Sequence, residues 1–141
     1  MAGVADMMEV LAKGRIFEVS FDEYINTVNG LFNFLEICGG AVVYMMTGTT
    51  DTKSQGCLQG SAFSFLFNGI FMIVSSFLSA TSGHYLTGIF YYVVFNGTAA
   101  MMYILSSIVI VRDSNEVGTG PVMGLLTGGL HAFHCAYSTY K

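Results

Sequence analysis

The stretch INTVNGLFNFLEICGGAVVYMMT, residues 25–47, decides the fold because it has the length and apolar content of a membrane-spanning helix. Its first half nonetheless carries four polar side chains: Asn26, Asn29, Asn33 and Glu36. Their spacing of three, four and three residues places them on one face of an α-helix. Amides and carboxylates within a membrane face other protein or water rather than lipid. The stretch therefore predicts the polar spine of a small helical bundle.

The composition extends this prediction to the whole chain of 141 residues. Its mean hydropathy is +0.62 and 10% of its residues are charged, against about 25% in soluble proteins. No Asp, Glu, Lys or Arg lies between Lys53 and Arg112, or between Glu116 and Lys141. The first gap has room for two further spans and the second for one. We predict an all-α integral membrane domain over residues 25–140, a four-helix bundle with spans at about 25–47, 57–80, 85–111 and 121–140.

The segment before the first span, residues 1–24, has Val4, Met7, Met8 and Leu11 at helical spacing between charged side chains. This pattern predicts a short amphipathic helix at the membrane interface, docked on lipid, on the bundle or on a partner, with disorder of the segment as the alternative. Its first ten residues lack the basic and apolar regions of a signal peptide, so we expect the first span to direct insertion. The distribution of basic residues favours cytoplasmic termini by three to two: Lys13, Arg15 and Lys141 against Lys53 and Arg112.

Two spans repeat small or polar residues at every fourth position, a pattern typical of closely packed membrane helices. In the second span these residues are Gly56, Gly60, Ser64 and Asn68, and in the fourth they are Gly120, Gly124, Gly128, Ala132 and Ala136. The first span cannot cover both faces. We therefore expect one of them to bind a second copy of the chain or another membrane protein, in addition to the lipid around the bundle.

Glu36 is the only acidic residue within a predicted span, about 16 Å from the start of its helix at 1.5 Å per residue. If the first and fourth spans are antiparallel, His131 lies at a similar depth. One interpretation is a hydrogen bond that fixes helix register; the other is a proton-linked or ion-linked carboxylate. The predicted intramembrane polar cluster comprises Asn26, Asn29, Asn33, Glu36, Asn68, Asn96, His131 and His134.

Several other functions find no support in the sequence. His131 and His134 are spaced i, i+3 and would need further ligands to bind a metal ion, and no cysteine or carboxylate pair accompanies them. No motif places a nucleophile beside a base. The net charge of −4 and five scattered basic residues do not favour nucleic acid. We expect no catalytic residues, no metal and no cofactor.

Four spans, short loops, termini on one side and an early polar first span together resemble the MARVEL-type family of four-span membrane proteins. The resemblance covers residues 25–140. It implies a non-enzymatic role in membrane apposition, vesicle sorting or cell junctions, in the plasma membrane or a vesicle membrane. Small multidrug transporters are also similar in having four short spans and a glutamate in the first, here Glu36, but this chain has no tryptophan. A small proton-coupled or ion-coupled transporter, or a channel subunit, using Glu36 and His131 is therefore the alternative.

Overall fold

A computed structural model describes residues 26–48, 53–78, 90–114 and 118–140. Within these ranges the chain forms four α-helices and no strand, which confirms the all-helical prediction. The helices are α1 (Val28–Met46), α2 (Lys53–Leu78), α3 (Phe90–Ser114) and α4 (Thr119–Tyr140). The amphipathic helix predicted for residues 1–24 lies outside the described residues.

Local hydrogen bonds set the two ends of α1. The Thr27 hydroxyl accepts a hydrogen bond from the Gly30 N–H at 3.0 Å and caps the first turn. Asn26 therefore precedes the helix. At the other end the Thr47 hydroxyl donates to the Val43 carbonyl at 2.8 Å, and Gly48 adopts a left-handed backbone with φ 49° that stops the helix.

Three helices are long and apolar enough to cross a membrane: Val28–Met46, Lys53–Ser76 and Phe90–Ser114. Helix α4 has a similar length of 22 residues and no charged side chain. It is less apolar because four glycines, three threonines and two histidines interrupt its hydrophobic residues. Three helices, α1, α2 and α3, thus have the length and apolar content predicted for membrane spans, and a fourth span stays a prediction.

The helices pack in a ring in which each contacts its neighbours in the chain and α4 returns to α1. Gly120 lies against Met46 at one end of the α1–α4 pair, and Phe32 lies against Tyr137 near the other, so the pair is antiparallel. An apolar cluster fills the half of the bundle near Gly120, and all four helices contribute to it: Val43, Leu58, Ala62, Ala99, Tyr103 and Ile110, with Met123 packed against them.

Over half of its length, the small-residue face of α4 packs against other helices of the same chain. A Cβ atom at Gly128 would lie 3.0 Å from the Tyr103 Cβ, and one at Gly124 would overlap the Ser107 hydroxyl. Ala132 and Ala136, predicted for the same face, are exposed instead. The reason is geometric, because residues four apart drift by about 40° per step around a helix. The buried face of α4 follows alternating steps of four and three: Gly120, Gly124, Thr127, His131 and His134.

The outer surface of the ring is strongly apolar. Large hydrophobic side chains are more than half exposed on every helix, including Met45, Phe71, Phe90, Met101 and Leu126. Soluble monomers rarely expose contiguous apolar surface of this extent, whereas lipid covers it at no cost. The outer surface therefore agrees with the apolar composition of the three candidate spans.

Candidate functional site

The Glu36 carboxylate lies at the centre of the bundle and is 5% exposed. The His134 Nδ1–H donates to Glu36 Oε1 at 2.7 Å, and His131 Nδ1 lies 3.2 Å from the same oxygen. The spacing of three residues between the histidines puts both imidazoles on the face of α4 that meets α1. One carboxylate oxygen therefore joins the first helix of the ring to the last.

Helix α3 extends the network on the far side of both imidazoles. The Tyr92 hydroxyl lies 3.1 Å from His134 Nε2, and Asn96 Oδ1 lies 3.0 Å from His131 Nδ1. The Asn96 amide also donates to the Tyr92 carbonyl at 3.1 Å, which turns its oxygen toward His131. Because each Nδ1 faces only oxygen acceptors, the geometry assigns a proton to Nδ1 of both histidines. When His134 is neutral, its unprotonated Nε2 accepts a hydrogen bond from the Tyr92 hydroxyl.

Aromatic rings enclose the two imidazoles. The Tyr103 ring stacks on His131 with centroids 5.7 Å apart and an interplanar angle of 15°, and the Phe32 ring stacks on His134 at 4.9 Å. Phe65 of α2 lies 6.1 Å from His131, and the described part of α2 brings no titratable group to the network. The rings restrict the imidazole orientations and separate the carboxylate from the outer surface.

The stability of the network depends on how the charge of the buried Glu36 carboxylate is compensated. An isolated charge in a low-dielectric interior costs several kcal/mol, and breaking a buried pair by removing one partner costs about 3–5 kcal/mol. Here two imidazoles converge on one oxygen, and one of them as imidazolium would neutralise it. The network can thus fix the register of α1 against α4.

Several buried polar atoms near the network have no hydrogen-bond partner among the described residues. They are the Asn29 side-chain oxygen, the Tyr103 hydroxyl and the Ser138 hydroxyl, with the Ser107 hydroxyl further away between α3 and α4. Asn29 is 4% exposed and Tyr103 is fully buried. A buried polar atom without a partner costs about 1–3 kcal/mol unless water reaches it.

The structure brings most of the predicted polar residues together. Glu36, Asn96, His131 and His134 share one network, and Asn29 and Asn33 are buried on the same face of α1. Two predicted members lie elsewhere, which corrects the predicted cluster. Asn26 is exposed because it precedes the Thr27 cap, and Asn68 is exposed and donates to the carbonyl of Ser64 in its own helix at 2.9 Å.

Sequence reasoning missed Tyr92 and Tyr103, which are not among the residues of the predicted polar cluster. Their positions relative to Asn96 carried a signal, since Tyr92 is four residues before it and Tyr103 seven after. Both spacings place a residue on the same helix face as Asn96. A buried face of α3 that repeats hydroxyl and amide groups was therefore visible in the sequence.

The small-residue face of α2 contrasts with that of α4. Gly60 and Ser64 are exposed and Gly56 is half-buried. A Cβ atom added at Gly56 or Gly60 would meet no other atom within 4 Å. Nothing in the described chain therefore approaches this face closely, although its glycines would allow such an approach.

The side chains of the site are joined by hydrogen bonds. Among the described residues no group of three His, Cys, Asp or Glu side chains is arranged to hold a metal ion. A cavity of about 250 Å³ opens beside Thr47 and Gly120, at the bundle end where α1 ends and α4 begins. Its lining includes no carboxylate, imidazole or thiol.

No protein-family model, no curated protein and no solved structure matches this chain.

Proposed function

We propose that this chain is a non-enzymatic, four-span membrane protein that acts by lateral association. Its partners are other copies of itself or other membrane proteins, and its termini are cytoplasmic. Its role is membrane organisation at vesicles or cell junctions, as the MARVEL-type resemblance implies, or that of a subunit in a larger membrane complex. The observation that carries the proposal is the open face of α2.

The glycines of this α2 face lower the stability of the helix unless another helix packs against them. A glycine within a helix is about 0.8–1.0 kcal/mol less favourable than alanine. In α4 the glycines permit close contact with Tyr103 and Ser107, whereas Gly56 and Gly60 permit no contact within the chain. Small residues at intervals of four are the usual contact surface between membrane helices. A helix from another chain on Gly56, Gly60 and Ser64 accounts for their presence.

Helix α4 is proposed as the fourth span despite its lower hydropathy. Its histidines and Thr127 are buried, 0–3% exposed, toward the other helices. Its outer side presents apolar residues instead, with Leu126 and Phe133 each 63% exposed. In the assembled ring, lipid would therefore meet an apolar α4 surface while the polar groups stay satisfied inside.

The lateral contact predicts a selective effect of Gly60→Leu. The added side chain points outward and should leave the monomer folded, but it blocks close approach of a second helix. We expect at least a tenfold loss of association, measured as energy transfer between labelled copies in vesicles and as recovery of co-purifying membrane proteins after mild solubilisation.

The matched control is Gly129→Leu on α4, where an added Cβ also meets no atom within 4 Å. It introduces the same side chain on a different outer face and should leave association unchanged. Equal association of the Gly60→Leu variant and the native protein, in both assays, would contradict the proposed interface.

A second candidate function is a proton-linked carboxylate in a small transporter or channel subunit. The observation that favours it is the continuous hydrogen-bonded chain from Tyr92 through His134 to Glu36, with His131 on the same oxygen. Such chains are how proteins hold and pass protons inside a membrane.

This candidate predicts that Glu36→Gln abolishes pH-driven proton flux into vesicles that contain the purified protein, because glutamine cannot exchange a proton. Asp113→Asn is the control, since Asp113 is an exposed carboxylate at the bundle end. A flux that survives unchanged in Glu36→Gln, or the lack of any flux in the native protein, would remove the candidate.

A further inference from the structure

The buried face of α1 differs in polarity on the two sides of Glu36. On the side where α1 begins, the buried face of α1 carries Asn29 and Asn33. On the other side, the same face continues with Gly40 and Val43. Glu36 thus lies where the polar half of this face meets its apolar half.

The polar half contains atoms that call for water. Asn29 is seven residues before Glu36, and Ser138 is four after His134, so each continues the face of its helix toward the same end of the bundle. The antiparallel register that sets Phe32 beside Tyr137 brings Asn29 level with Ser138. The Asn29 oxygen and the Ser138 hydroxyl are shielded and have no protein partner in the described chain. Water is the usual partner of such atoms.

The apolar half is closed by side chains from all four helices. Val43 and Leu58 are fully buried, Ile110 is 6% exposed, and Met123 packs against them. Two hydroxyls in this half have no partner among the described residues: that of Tyr103, beside Gly40, and that of Ser107, against Gly124. The side chains of Val43, Leu58 and Ile110 offer no polar atom, so a file of waters cannot cross their layer, because each water needs two to four polar partners.

We propose that water reaches Glu36 from one side only, along Asn29 and Ser138 from the bundle end where α1 begins and α4 ends. The apolar layer around Val43 blocks water from the opposite side. The Glu36 network then exchanges protons with a single aqueous compartment. This inference rests on the proposal that the bundle spans a membrane, but it requires neither lateral association nor net transport.

Cysteine protection by Ag⁺ tests the proposal, because this thiol-reactive ion is small enough to follow a file of waters. In a background with Cys38, Cys57 and Cys135 replaced by serine or alanine, single cysteines are introduced and the protein is placed in phosphatidylcholine vesicles in chloride-free buffer. Ag⁺ is added outside, and the remaining thiols are counted with a maleimide after denaturation. The test pair is Asn33→Cys, on the buried face, and Phe34→Cys, at the same depth on the outer face, 49% exposed.

Three further variants locate the compartment. Val43→Cys probes the apolar layer, Tyr140→Cys marks the end where α4 stops, and Arg112→Cys marks the opposite end. We expect Asn33→Cys to react at least tenfold faster than Phe34→Cys and Val43→Cys. The fraction of Asn33→Cys thiols that react should equal that of Tyr140→Cys and not that of Arg112→Cys. If Asn33→Cys does not fold, Asn29→Cys with Leu31→Cys as its outer-face control replaces the pair.

The outcomes separate the two proposals. Reaction of Phe34→Cys as fast as Tyr140→Cys would overturn the membrane-spanning bundle itself. Protection of Phe34→Cys together with an Asn33→Cys as slow as Val43→Cys would overturn the water path alone. Equal and fast reaction of Asn33→Cys and Val43→Cys, with Phe34→Cys protected, would overturn the one-sided access.

Discussion

Replacing His134 with leucine is expected to lower the free energy of unfolding by about 3 kcal/mol. This is the lower end of the 3–5 kcal/mol typical of removing one partner from a buried ionic pair, because His131 remains 3.2 Å from the carboxylate. An ordinary hydrogen bond between membrane helices contributes only about 0.6 kcal/mol on average. The size of the loss therefore distinguishes a compensated charge from a neutral hydrogen bond. Unfolding by denaturing detergent in mixed micelles measures it.

A double-mutant cycle with Glu36→Gln isolates the contribution of the Glu36 charge to the free energy of unfolding. Glutamine keeps an oxygen acceptor at the same place but carries no charge, so His134→Leu in that background should cost about 1 kcal/mol, the value of a neutral hydrogen bond. The expected coupling is then about 2 kcal/mol. Phe133→Leu is the neighbouring control, 63% exposed, and should change stability by less than about 0.5 kcal/mol. A coupling below about 0.5 kcal/mol would contradict a compensated carboxylate.

The second large effect is expected at Gly128. A Cβ atom there would lie 2.7 Å from the Ile104 Cγ1 and 3.2 Å from the Ile104 backbone nitrogen. The side chain could move, but the backbone nitrogen belongs to α3 and moves only with the helix. Gly128→Leu should therefore force α3 and α4 apart and displace Tyr103 from His131. We expect a loss of more than 3 kcal/mol, beyond the range of about 1–3 kcal/mol usual for overpacking.

Neighbouring Gly129 supplies the control for this experiment. Its Cβ position is open, so Gly129→Leu should be neutral or stabilise the helix by up to about 1 kcal/mol through its better propensity. Gly128→Ala should fall between the two, at about 1–3 kcal/mol of destabilisation. Unfolding in mixed micelles and the elution of the purified variants report the effect. Similar stability of Gly128→Leu and Gly129→Leu would show that α3 and α4 do not pack as described.

The sequence allowed much of this arrangement to be predicted. The uncharged stretches and the polar spacing in residues 25–47 led to an all-helical bundle, and an antiparallel pairing of the first and last spans placed Glu36 level with His131. These inferences succeed because the spacing of polar side chains along a helix translates directly into depth and face. They required no knowledge of how individual side chains pack.

Features that depend on side-chain packing could not be predicted from the sequence. The interval of four in α4 predicted a face that includes Ala132, whereas the ring buries a face that turns more slowly, at three and four residues alternately. Tyr92 joined the network through a hydroxyl that its membrane position did not distinguish from those of other tyrosines. Likewise, the repeats of α2 and α4 indicated that one small-residue face would stay open, but not which of the two.

The link between Glu36 and His134 joins residues 98 positions apart in the chain. During synthesis on a ribosome, α1 is complete long before the last helix that carries its histidine partners. The carboxylate therefore lacks its imidazole partners until α4 has been made. A chain truncated before α4 would retain an uncompensated polar helix, which is the kind of defect by which a cell can recognise an incomplete membrane protein. The order of the helices thus makes α4 a check on the completeness of the bundle.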